Sequence, residues 1–497
     1  MKRLIFGTGT FLLLVIILLW WEGSNKLLEI TLTSPHNTAM YNKINVKLEK
    51  EAPVYVDYWE KVSRKKFRTC VSSAKINHEI DLILLKADTE YEYQIVIDNI
   101  LPHKSEVMEF KTREQSPWLK NHRVTERHPH NPDALGDDGY ILICFGRLPG
   151  NMMIIDKYGE VRWYWQVNDI GVRAASLTPR GTILAMLRPF VKDVIDDVPM
   201  TPEQIQKEEH KKPMKRGSIG FAGGTGIAEV SLTGDVLWRI DLNKIQKENE
   251  FKVIHHDVLM DEHNNIYTLY RPKKVSEYRD EKGTLCKDTL GGDGILVLDT
   301  LGNVLKTWSA WDIWNIKEDP FIARYKYDRF HMNAVSFDRD GNYLVSVPIE
   351  DQIWKINKST GKLMWKFGRN GDFKMDADSY FSFQHAPYIN SKGDLMLFNN
   401  GLHEMQSGAL SYKLDEKNKT AETTLNVKLP KEKYTSRMGN AFLMPNGNLL
   451  QCSSKTGTIL ITNQKGEILW QCSLANAPYR ALYVPKDVFK NYFTEVD

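Results

Sequence analysis

The sequence predicts an all-β protein in which a β-sandwich is followed by a six-bladed β-propeller, with a transmembrane helix at the N-terminus. Three observations support this prediction: an uncharged apolar stretch at 4–21, short alternating strands at 25–113, and a four-strand unit that recurs from residue 138 onward. The 497 residues include 66 Lys and Arg against 63 Asp and Glu. Because there is no basic excess, no nucleic-acid partner is predicted.

Residues 1–24 are predicted to form a short cytoplasmic stub and a signal anchor. The stretch LIFGTGTFLLLVIILLWW at 4–21 carries no charge and is about long enough to cross a bilayer core. The Lys-Arg pair before it favours a cytoplasmic start, with the remainder exported. A cleaved signal peptide is the alternative, but no small-x-small cleavage site follows. We therefore expect a single-pass protein of the inner (cytoplasmic) membrane, with the bulk of the chain in the periplasm or outside.

Residues 25–113 form six short strand-like runs separated by polar turns, at intervals typical of a β-sandwich. The stretch LKADTEYEYQIVI, followed by EFKT, resembles the last strands of a fibronectin type III domain. Tyr91 or Tyr93 would then be the corner tyrosine of that sandwich. Residues 114–137 are polar and contain prolines, and are predicted to be a linker.

From 138 to 497 the chain repeats a hairpin followed by two further strands. The last strand of the unit recurs as GEVRWYWQ (159), GDVLWRID (234), GNVLKTWS (302), GKLMWKFG (361), ETTLNVKL (422) and GEILWQCS (466). The hairpins turn at Arg180-Gly181, His263-Asn264, Asp340-Gly341, Lys392-Gly393 and Asn446-Gly447. Four strands per repeat make one propeller blade. A sixth hairpin begins at 477–489 and lacks partners, which the strands at 138–166 can supply, so we expect the two chain ends to close a ring of six blades.

An insertion at about 190–222 interrupts the first of these repeats. Thr201, Pro202 and Gln204 fit the N-cap, N1 and N3 positions of a helix. Its many charges favour a solvated surface helix. A lid or a partner contact is the alternative.

The hairpins place a set of polar residues at one end of the predicted ring. Counting back eight residues from each turn gives Arg173, His256, Asn333, His385 and Gly439, and counting forward seven gives Arg188, Arg271, Pro348, Asn400 and Ser454. In a regular hairpin these positions face each other across its open end. His331 and Arg437 lie two residues earlier with the same side-chain direction, and the sixth hairpin offers Tyr479 or Arg480.

Three histidines and several arginines at one mouth suit an anion with several oxygens, such as a sulfate or phosphate ester. A single histidine or arginine at a strand end is more often a surface hydrogen-bonding group, but the shared register makes coincidence a poor account of all of them. The arginines would repel a cation and no carboxylate joins the histidines in register, since Asp257 is expected to point away. We therefore predict no metal and no cofactor.

Four stretches resemble the bacterial arylsulfate sulfotransferases: VIHHDVLMDEHNNIYTL (253), FHMNAVSFDRDGNYLVS (330), QHAPYINSKGDLMLFNNG (384) and GNAFLMPNGNLL (439). The resemblance covers about residues 115–490. It implies a six-bladed propeller outside the cytoplasm that moves a sulfuryl group between phenols without a nucleotide sulfate donor. By this resemblance His385 would be the nucleophile that becomes sulfated. His256, and His331 with Asn333, would bind the sulfate oxygens and assist the phenol oxygen in a ping-pong reaction.

The sequence departs from that family at one arginine. Family members usually follow the HxN hairpin with Ser-Ser-Arg, whereas this chain has Ser346-Val347-Pro348-Ile349. Arg271 or Arg188, at equivalent hairpin positions in neighbouring blades, could replace the missing sulfate ligand. The loss could equally mean an altered substrate or lost catalysis.

Two functions therefore follow from the sequence. The first is a membrane-anchored sulfotransferase that acts on phenolic sulfates and phenols, with Arg173, Arg188, Arg271, Asn333, Asn400, Arg437 and Tyr479 around the substrate. The alternative is a non-catalytic propeller that binds an anionic ligand or scaffolds an envelope protein complex. A homodimer, a larger complex and the pairing of the five cysteines all stay open.

Overall fold

The computed structural model describes residues 25–34, 40–117, 119, 124–128, 131–136, 139–145, 150–167, 170–189, 199–210, 223–245 and 253–496. The predicted anchor at 4–21 lies outside the described residues. In the described part of the chain, no helix combines the length and apolar character that crossing a bilayer requires.

The N-terminal part of the described chain forms two antiparallel sheets. Its strands are β1 (Leu27–Thr33), β2 (Asn42–Ala52), β3 (Val54–Glu60), β4 (Lys66–Thr69), β5 (Lys75–Leu82), β6 (Glu90–Ile97), β7 (His103–Lys104) and β8 (Met108–Lys111). One sheet has the order β1-β2-β5, and the other has the order β4-β3-β6-β7, with β8 also paired to β6. The Tyr91 hydroxyl accepts a hydrogen bond from the backbone N–H of Lys86 at 2.9 Å. Tyr91 therefore makes the upstream backbone contact expected of a corner tyrosine.

The remaining strands begin with β9 (Val124–His128), β10 (Tyr140–Phe145), β11 (Gly150–Ile155), β12 (Val161–Val167), β13 (Ile170–Leu177), β14 (Ile183–Pro189), β15 (Gly223–Gly224), β16 (Gly226–Val230), β17 (Val236–Asp241), β18 (Ile254–Met260), β19 (Ile266–Tyr270), β20 (Lys273–Arg279), β21 (Leu285–Gly291), β22 (Gly294–Leu298) and β23 (Val304–Ser309). They continue with β24 (Ala334–Phe337), β25 (Tyr343–Val347), β26 (Gln352–Ile356), β27 (Leu363–Gly368), β28 (His385–Ile389), β29 (Leu395–Asn399), β30 (Gly408–Asp415), β31 (Thr420–Lys428), β32 (Asn440–Leu443), β33 (Leu449–Ser453), β34 (Thr458–Thr462), β35 (Ile468–Leu474), β36 (Ala481–Val484) and β37 (Phe493–Val496). Within the described residues the α-helices are α1 (Pro202–His210) and α2 (Leu242–Ile245).

Six antiparallel sheets with four principal strands each follow the first two sheets. Sheet 1 is β36-β10-β11-β12, sheet 2 is β13-β14-β16-β17, sheet 3 is β18-β19-β22-β23 with β15 added to β18, sheet 4 is β24-β25-β26-β27, sheet 5 is β28-β29-β30-β31 and sheet 6 is β32-β33-β34-β35. The first strand of each sheet contacts the first strand of the next: β13 contacts β18, β18 contacts β24, β24 contacts β28, β28 contacts β32, and β32 contacts β36. Because β10 of sheet 1 contacts β13, the six sheets form a closed ring. The prediction of a mostly β chain built from four-stranded antiparallel sheets is confirmed.

The two ends of the repeating region meet in sheet 1. Strand β36 pairs antiparallel with β10, with Ile143 opposite Ala481 and Tyr140 opposite Val484. This is the pairing that the unpartnered strands predicted. It makes the ring depend on residues more than 300 positions apart, so ring closure is a long-range contact.

Burial explains the strand sequences of the ring. Middle strands such as β22 (ILVL) and β34 (TILIT) are buried on both faces, because each sheet packs between two neighbours. Outer strands such as β31 alternate between exposed and half-buried residues. Trp163, Trp354 and Trp470 are among the largest fully buried side chains. Burying one such side chain contributes roughly 2–3 kcal/mol.

Both predicted boundaries of the ring need correction. The last strand, β37, leaves the ring and pairs with β4, placing Phe493 opposite Thr69, so the chain from 138 to 497 is not all propeller-like. The predicted linker at 114–137 contains β9, which adds a fifth strand to sheet 6 by pairing with β35. Sequence patterns missed both strands because each is short and lies outside the repeat.

The insertion forms the predicted helix with its predicted cap. The Thr201 backbone N–H donates to Oε1 of Gln204 at 2.8 Å, and the Gln204 N–H donates to the Thr201 hydroxyl at 3.3 Å. Helix α1 contacts the turn Lys431–Lys433 before sheet 6, and the Met200 N–H donates to the Lys455 carbonyl at 2.7 Å. A segment that leaves sheet 2 therefore packs on sheet 6.

Candidate functional site

The predicted polar residues meet at the end of the ring where the inner strands begin. Three inner strands carry a β-bulge at this end: β13 between Val172 and Ala174, β18 between His255 and Val258, and β28 between His385 and Tyr388. Such bulges re-aim side chains and recur beside functional sites. They allow adjacent residues of one strand to point toward the ring axis.

The same bulges overturn part of the predicted register. Arg188 pairs with Gly171 rather than with Arg173, and Arg271 follows the last residue of β19, whose partner is Ile254. The predicted direct opposition of Arg173 to Arg188, and of His256 to Arg271, is therefore wrong. An extra residue in the inner strand shifts the facing positions, which counting from the turn does not reveal.

His385 is buried and makes three hydrogen bonds. Its Nδ1 lies 2.7 Å from Oδ1 of Asn400 and 3.2 Å from the Phe383 carbonyl, so Nδ1 carries the proton. The Asn400 amide is oriented by its Nδ2, which donates to the carbonyls of Thr435 (2.8 Å) and Met438 (3.0 Å). The lone pair of His385 is therefore on Nε2, which accepts the Met438 N–H at 3.1 Å.

Burial lowers the pKa of His385 to about 3, and the neighbouring Arg480 and His331 act in the same direction against the hydrogen bond to Asn400. The imidazole is thus neutral at physiological pH. A neutral imidazole with a defined tautomer is a nucleophile that needs no separate base.

His256 lies beside His385 and His331 at the axis. Its ring centroid is 5.3 Å from that of His331 and 6.4 Å from that of Tyr479. Burial lowers the pKa of His256 well below its usual value, and the surrounding histidines and Arg173 lower it further. Its Nδ1 lies 2.7 Å from Nδ1 of His255, which is fully buried.

His331 is held by a carboxylate that the sequence analysis did not single out. Its Nδ1 lies 2.6 Å from Oδ2 of Asp328, and Nη2 of Arg271 lies 3.3 Å from the other oxygen of the same carboxylate. Burial alone would raise the pKa of Asp328, but His331 and Arg271 hold it well below its ordinary value. The charge of Arg271 is thus partly balanced inside the protein, and Phe383 stacks on the His331 ring with centroids 5.9 Å apart.

Asn333 is fully buried and serves an inter-sheet contact. Its Nδ2 donates to the Gln384 carbonyl at 2.8 Å, which ties sheet 4 to the residue before His385. Its backbone carbonyl accepts from Nη2 of Arg480 at 3.0 Å. Asn333 therefore positions the strand that carries His385.

Two guanidinium groups flank the ring of Tyr479. The carbon of the Arg173 guanidinium lies 4.9 Å from the ring centroid and that of Arg480 lies 5.1 Å away. Nη1 of Arg480 also donates to Asp257 at 2.9 Å, so Asp257 faces Arg480 and not the histidines, as expected.

Arg173 and Tyr479 keep unused donors. Within the described residues, Nε of Arg173 and the hydroxyl of Tyr479 are buried and have no hydrogen-bond partner. Buried polar groups are normally satisfied, and unsatisfied ones mark sites where a ligand can supply the partner. We infer a donor set beside His256 that suits an oxyanion.

The other two predicted arginines lie at the margin. Arg188 is buried at the end of β14, and Arg437 is half-buried next to Met438, whose N–H reaches His385.

Sequence reasoning considered only carboxylates in register with the histidines, and so missed two that reach them from outside that register, Asp328 and Asp293. Asp328 could have been noticed three residues before His331. Asp293 belongs to no repeated motif, and only the fold brings it to His255, where its Oδ1 lies 3.1 Å from Nε2. In the part of the chain that the structure describes, no group of three or more His, Cys, Asp or Glu side chains is arranged to hold a metal ion.

A family model described as Arylsulfotransferase (ASST) matches residues 137–473 of the chain. A search of curated proteins gives no match. Solved structures that resemble the fold include a protein of unknown function from Bacteroides caccae, with a TM-score of 0.41, 12% identity, and coverage of 70% of this chain and 100% of that one. A putative 6-phosphogluconolactonase from Bacteroides fragilis NCTC 9343 has a TM-score of 0.35, 11% identity, and coverage of 71% and 100%. Virginiamycin B lyase from Staphylococcus aureus has a TM-score of 0.28, 9% identity, and coverage of 87% and 99%. At these TM-scores the three likenesses carry no functional argument.

Proposed function

The chain belongs to the arylsulfotransferase family, and from that premise we propose that it transfers a sulfuryl group from an aryl sulfate to a phenol through His385. The observation that carries the proposal is the state of the His385 ring. Its Nδ1–H is fixed on Asn400 at 2.7 Å, and its lone pair is on Nε2 at the ring axis.

We interpret the ring of six sheets as a six-bladed β-propeller, closed by β36, with the reactive groups at one mouth of its axis. The sheets β1-β2-β5 and β4-β3-β6-β7 before it fit a fibronectin type III-like sandwich. Buried Arg162 of sheet 1 donates from Nε to the Leu84 carbonyl at 2.8 Å and so ties the ring to the sandwich.

In the first half-reaction Nε2 of His385 attacks the sulfur atom. The S–N bond forms as the S–O bond to the aryl group breaks, and the phenolate leaves with the electron pair of that bond. The Met438 N–H, which donates to Nε2, must give way to sulfur. It is then adjacent to the sulfuryl oxygens and can donate to one of them.

Charge on the transferring group is balanced by donors that converge on the axis. The unpartnered Nε of Arg173 and hydroxyl of Tyr479 are the best-placed donors for sulfuryl oxygens. His331 and Arg271 can contribute as well, although Asp328 already contacts both of them and balances part of the charge of Arg271. Guanidinium groups suit this task because their planar donors match a tetrahedral oxyanion.

The second half-reaction reverses the first with a different phenol. The acceptor oxygen attacks the sulfur of sulfo-His385, the S–N bond breaks, and the acceptor proton leaves to a nearby base. His256 is neutral and at the axis, so it is our choice for that base. Phenols and their sulfate esters are the proposed small-molecule partners, and no cofactor is required.

We further propose that this chemistry takes place outside the cytoplasm, on a chain anchored by residues 4–21. Lys2, Arg3 and the uncharged stretch that follows them motivate this proposal.

A non-catalytic anion-binding propeller is the second candidate. Two observations favour it: Val347-Pro348-Ile349 stands where the family has its sulfate-binding arginine, and a backbone N–H occupies Nε2 of His385. Incubation of the purified protein with 4-nitrophenyl sulfate and phenol separates the two functions. Steady release of 4-nitrophenol together with phenyl sulfate supports transfer, whereas saturable binding of the sulfate ester without turnover supports the binding protein.

A further inference from the structure

Two of the fully buried ionisable side chains to which the proposed chemistry gives no role are His255 and Asp293, next to His256. A carboxylate and an imidazole buried without a function would cost stability. His255 contacts His256 and Asp293 contacts His255, so the three side chains form one unit.

The backbone at His256 brings neighbouring residues into contact. Successive side chains of a strand normally point to opposite faces. His256 has φ of 61° and lies in the bulge of β18, so its ring meets that of His255 edge-on, with centroids 4.9 Å apart and planes at 88°. Left-handed backbone at a histidine is strained and is kept where function requires it.

The three side chains form a continuous chain of contacts. Oδ1 of Asp293 lies 3.1 Å from Nε2 of His255, and Nδ1 of His255 lies 2.7 Å from Nδ1 of His256. The second oxygen of Asp293 accepts the Met332 N–H at 3.2 Å, which fixes the carboxylate in place. Within the described residues, the hydrogen bond to His255 is the only one that the His256 ring makes.

We propose that Asp293 and His255 are positioning residues that set the proton on His256 and allow it to act as both acid and base; this inference rests on the proposed sulfuryl transfer. The carboxylate favours a proton on Nε2 of His255, so Nδ1 of His255 is an acceptor. Nδ1 of His256 then donates to it, and the lone pair of His256 on Nε2 is directed to the substrate oxygen.

The proton balance closes over the two half-reactions. His256 is neutral at rest, so it first takes a proton from solvent, which it returns at the end of the cycle. Its imidazolium form then gives the Nε2 proton to the departing phenolate as the S–O bond breaks. The neutral form takes a proton from the acceptor phenol as the new S–O bond forms. No oxidant or other co-reactant is needed, and the protein returns to its starting state.

The groups around His256 explain why the Asp293 carboxylate is needed. The groups facing His256 are His331, His385, Arg173 and Tyr479, and those facing His255 include Arg271 and Asp328. Burial and nearby positive groups oppose protonation of His256. The negative charge of Asp293 acts on His256 through His255. It offsets the burial and the positive groups while His256 is in its imidazolium form.

This chain of contacts from Asp293 through His255 to His256, here called the relay, makes a specific kinetic prediction. A phenol that is a strong acid leaves without help, whereas a weakly acidic phenol needs a proton from His256. The test measures kcat/KM for a series of donors from 4-nitrophenyl sulfate to unsubstituted phenyl sulfate, which reports the first half-reaction alone. Asp293→Asn and His255→Gln should each lower kcat/KM about 10²-fold for phenyl sulfate, the usual scale of acid catalysis, but only a few-fold for the nitrophenyl ester.

Asp394→Asn is the matched control, because Asp394 is also buried but lies at a distant hairpin turn, where its Oδ2 accepts from Thr424 at 2.8 Å. It should follow the wild-type dependence on the leaving group. Equal losses across all donors in Asp293→Asn, or in His255→Gln if the aspartate variant does not fold, would overturn the relay while leaving the transferase intact. A wild-type protein that releases phenol from no donor would overturn the proposed function, and the relay with it.

Discussion

His385 and Asn400, 15 residues apart, are joined by a hydrogen bond of 2.7 Å from imidazole Nδ1 to amide Oδ1. Two backbone carbonyls hold the Nδ2 of Asn400, so the amide cannot turn without losing both bonds. The tautomer of His385 is therefore set by the loop that carries Thr435 and Met438. This arrangement keeps the proton on Nδ1 and the lone pair on Nε2.

His385→Asn should abolish phenol release, by about 10³-fold or more, because the variant has no nucleophilic nitrogen. Mass spectrometry of wild-type protein treated with donor alone should find one added sulfuryl group on the peptide that contains Gln384 and His385. His403→Asn, an exposed histidine near Asp351, is the control and should keep both signals. A label on His256 or His331 would show that the roles are assigned wrongly.

Asn400→Asp should make kcat/KM fall at low pH, where the wild-type value stays constant. The pKa of His385 is about 3 in the native protein, so its protonation does not limit activity between pH 5 and 8. A carboxylate on Nδ1 raises that pKa by about 1–3 units or more, and protonation then removes the lone pair as the pH falls. As the pH is lowered, kcat/KM should therefore begin to fall at a higher pH in Asn400→Asp than in wild type.

The matched control is Asn390→Asp, because Asn390 is a buried asparagine at a distant turn, where its Oδ1 accepts the Lys392 N–H at 2.9 Å. Its profile should follow wild type. Asn400→Asp also loses two hydrogen bonds from Nδ2, so thermal unfolding should accompany the kinetics. If the profile of Asn400→Asp is unchanged in folded protein, this hydrogen bond does not control the nucleophile.

Arg173→Ala should weaken sulfate-ester binding by about 1.5–3 kcal/mol, the range for a charge-assisted hydrogen bond. Arg271→Ala is the direct comparison, since the sequence predicts that Arg271 replaces the missing family arginine. We expect a smaller effect there, because Nη2 of Arg271 already lies 3.3 Å from Asp328. Isothermal titration with 4-nitrophenyl sulfate on His385→Asn, which cannot turn over, measures both; a larger loss in Arg271→Ala would return that role to Arg271.

A reporter fused to the C-terminus should show an exported chain. The Lys-Arg pair and the uncharged residues 4–21 predict that an enzyme active only in the cytoplasm stays silent when fused after Asp497. Reversing the charge of Lys2 and Arg3 is the control and should reduce export. An active reporter on the native sequence, or a mature protein beginning after residue 21, would contradict the anchor.

Much of the site could be predicted because the repeat is local. Two-residue turns such as Lys392-Gly393 fix where each hairpin bends, and alternation then places His256 of sheet 3 and His385 of sheet 5 at the same end of the ring. The register of paired strands was harder to predict from the sequence. One inserted residue in β13, at Arg173, and two in β18, at His256 and Asp257, change which side chains meet, and neither insertion interrupts the apolar pattern.

The sequence by itself determined the number of hairpins, the pairing of the chain ends and the strand end at which His385 lies, because turn chemistry and strand periodicity act over a few residues. Only the tertiary structure decided which other side chains contact these residues. Arg480 reaches Asp257 over 223 positions, and Asp293 reaches His255 from outside the repeat. Such contacts form when the ring closes and brings the inner strands together, and no local pattern records which side chains will then lie within hydrogen-bonding distance.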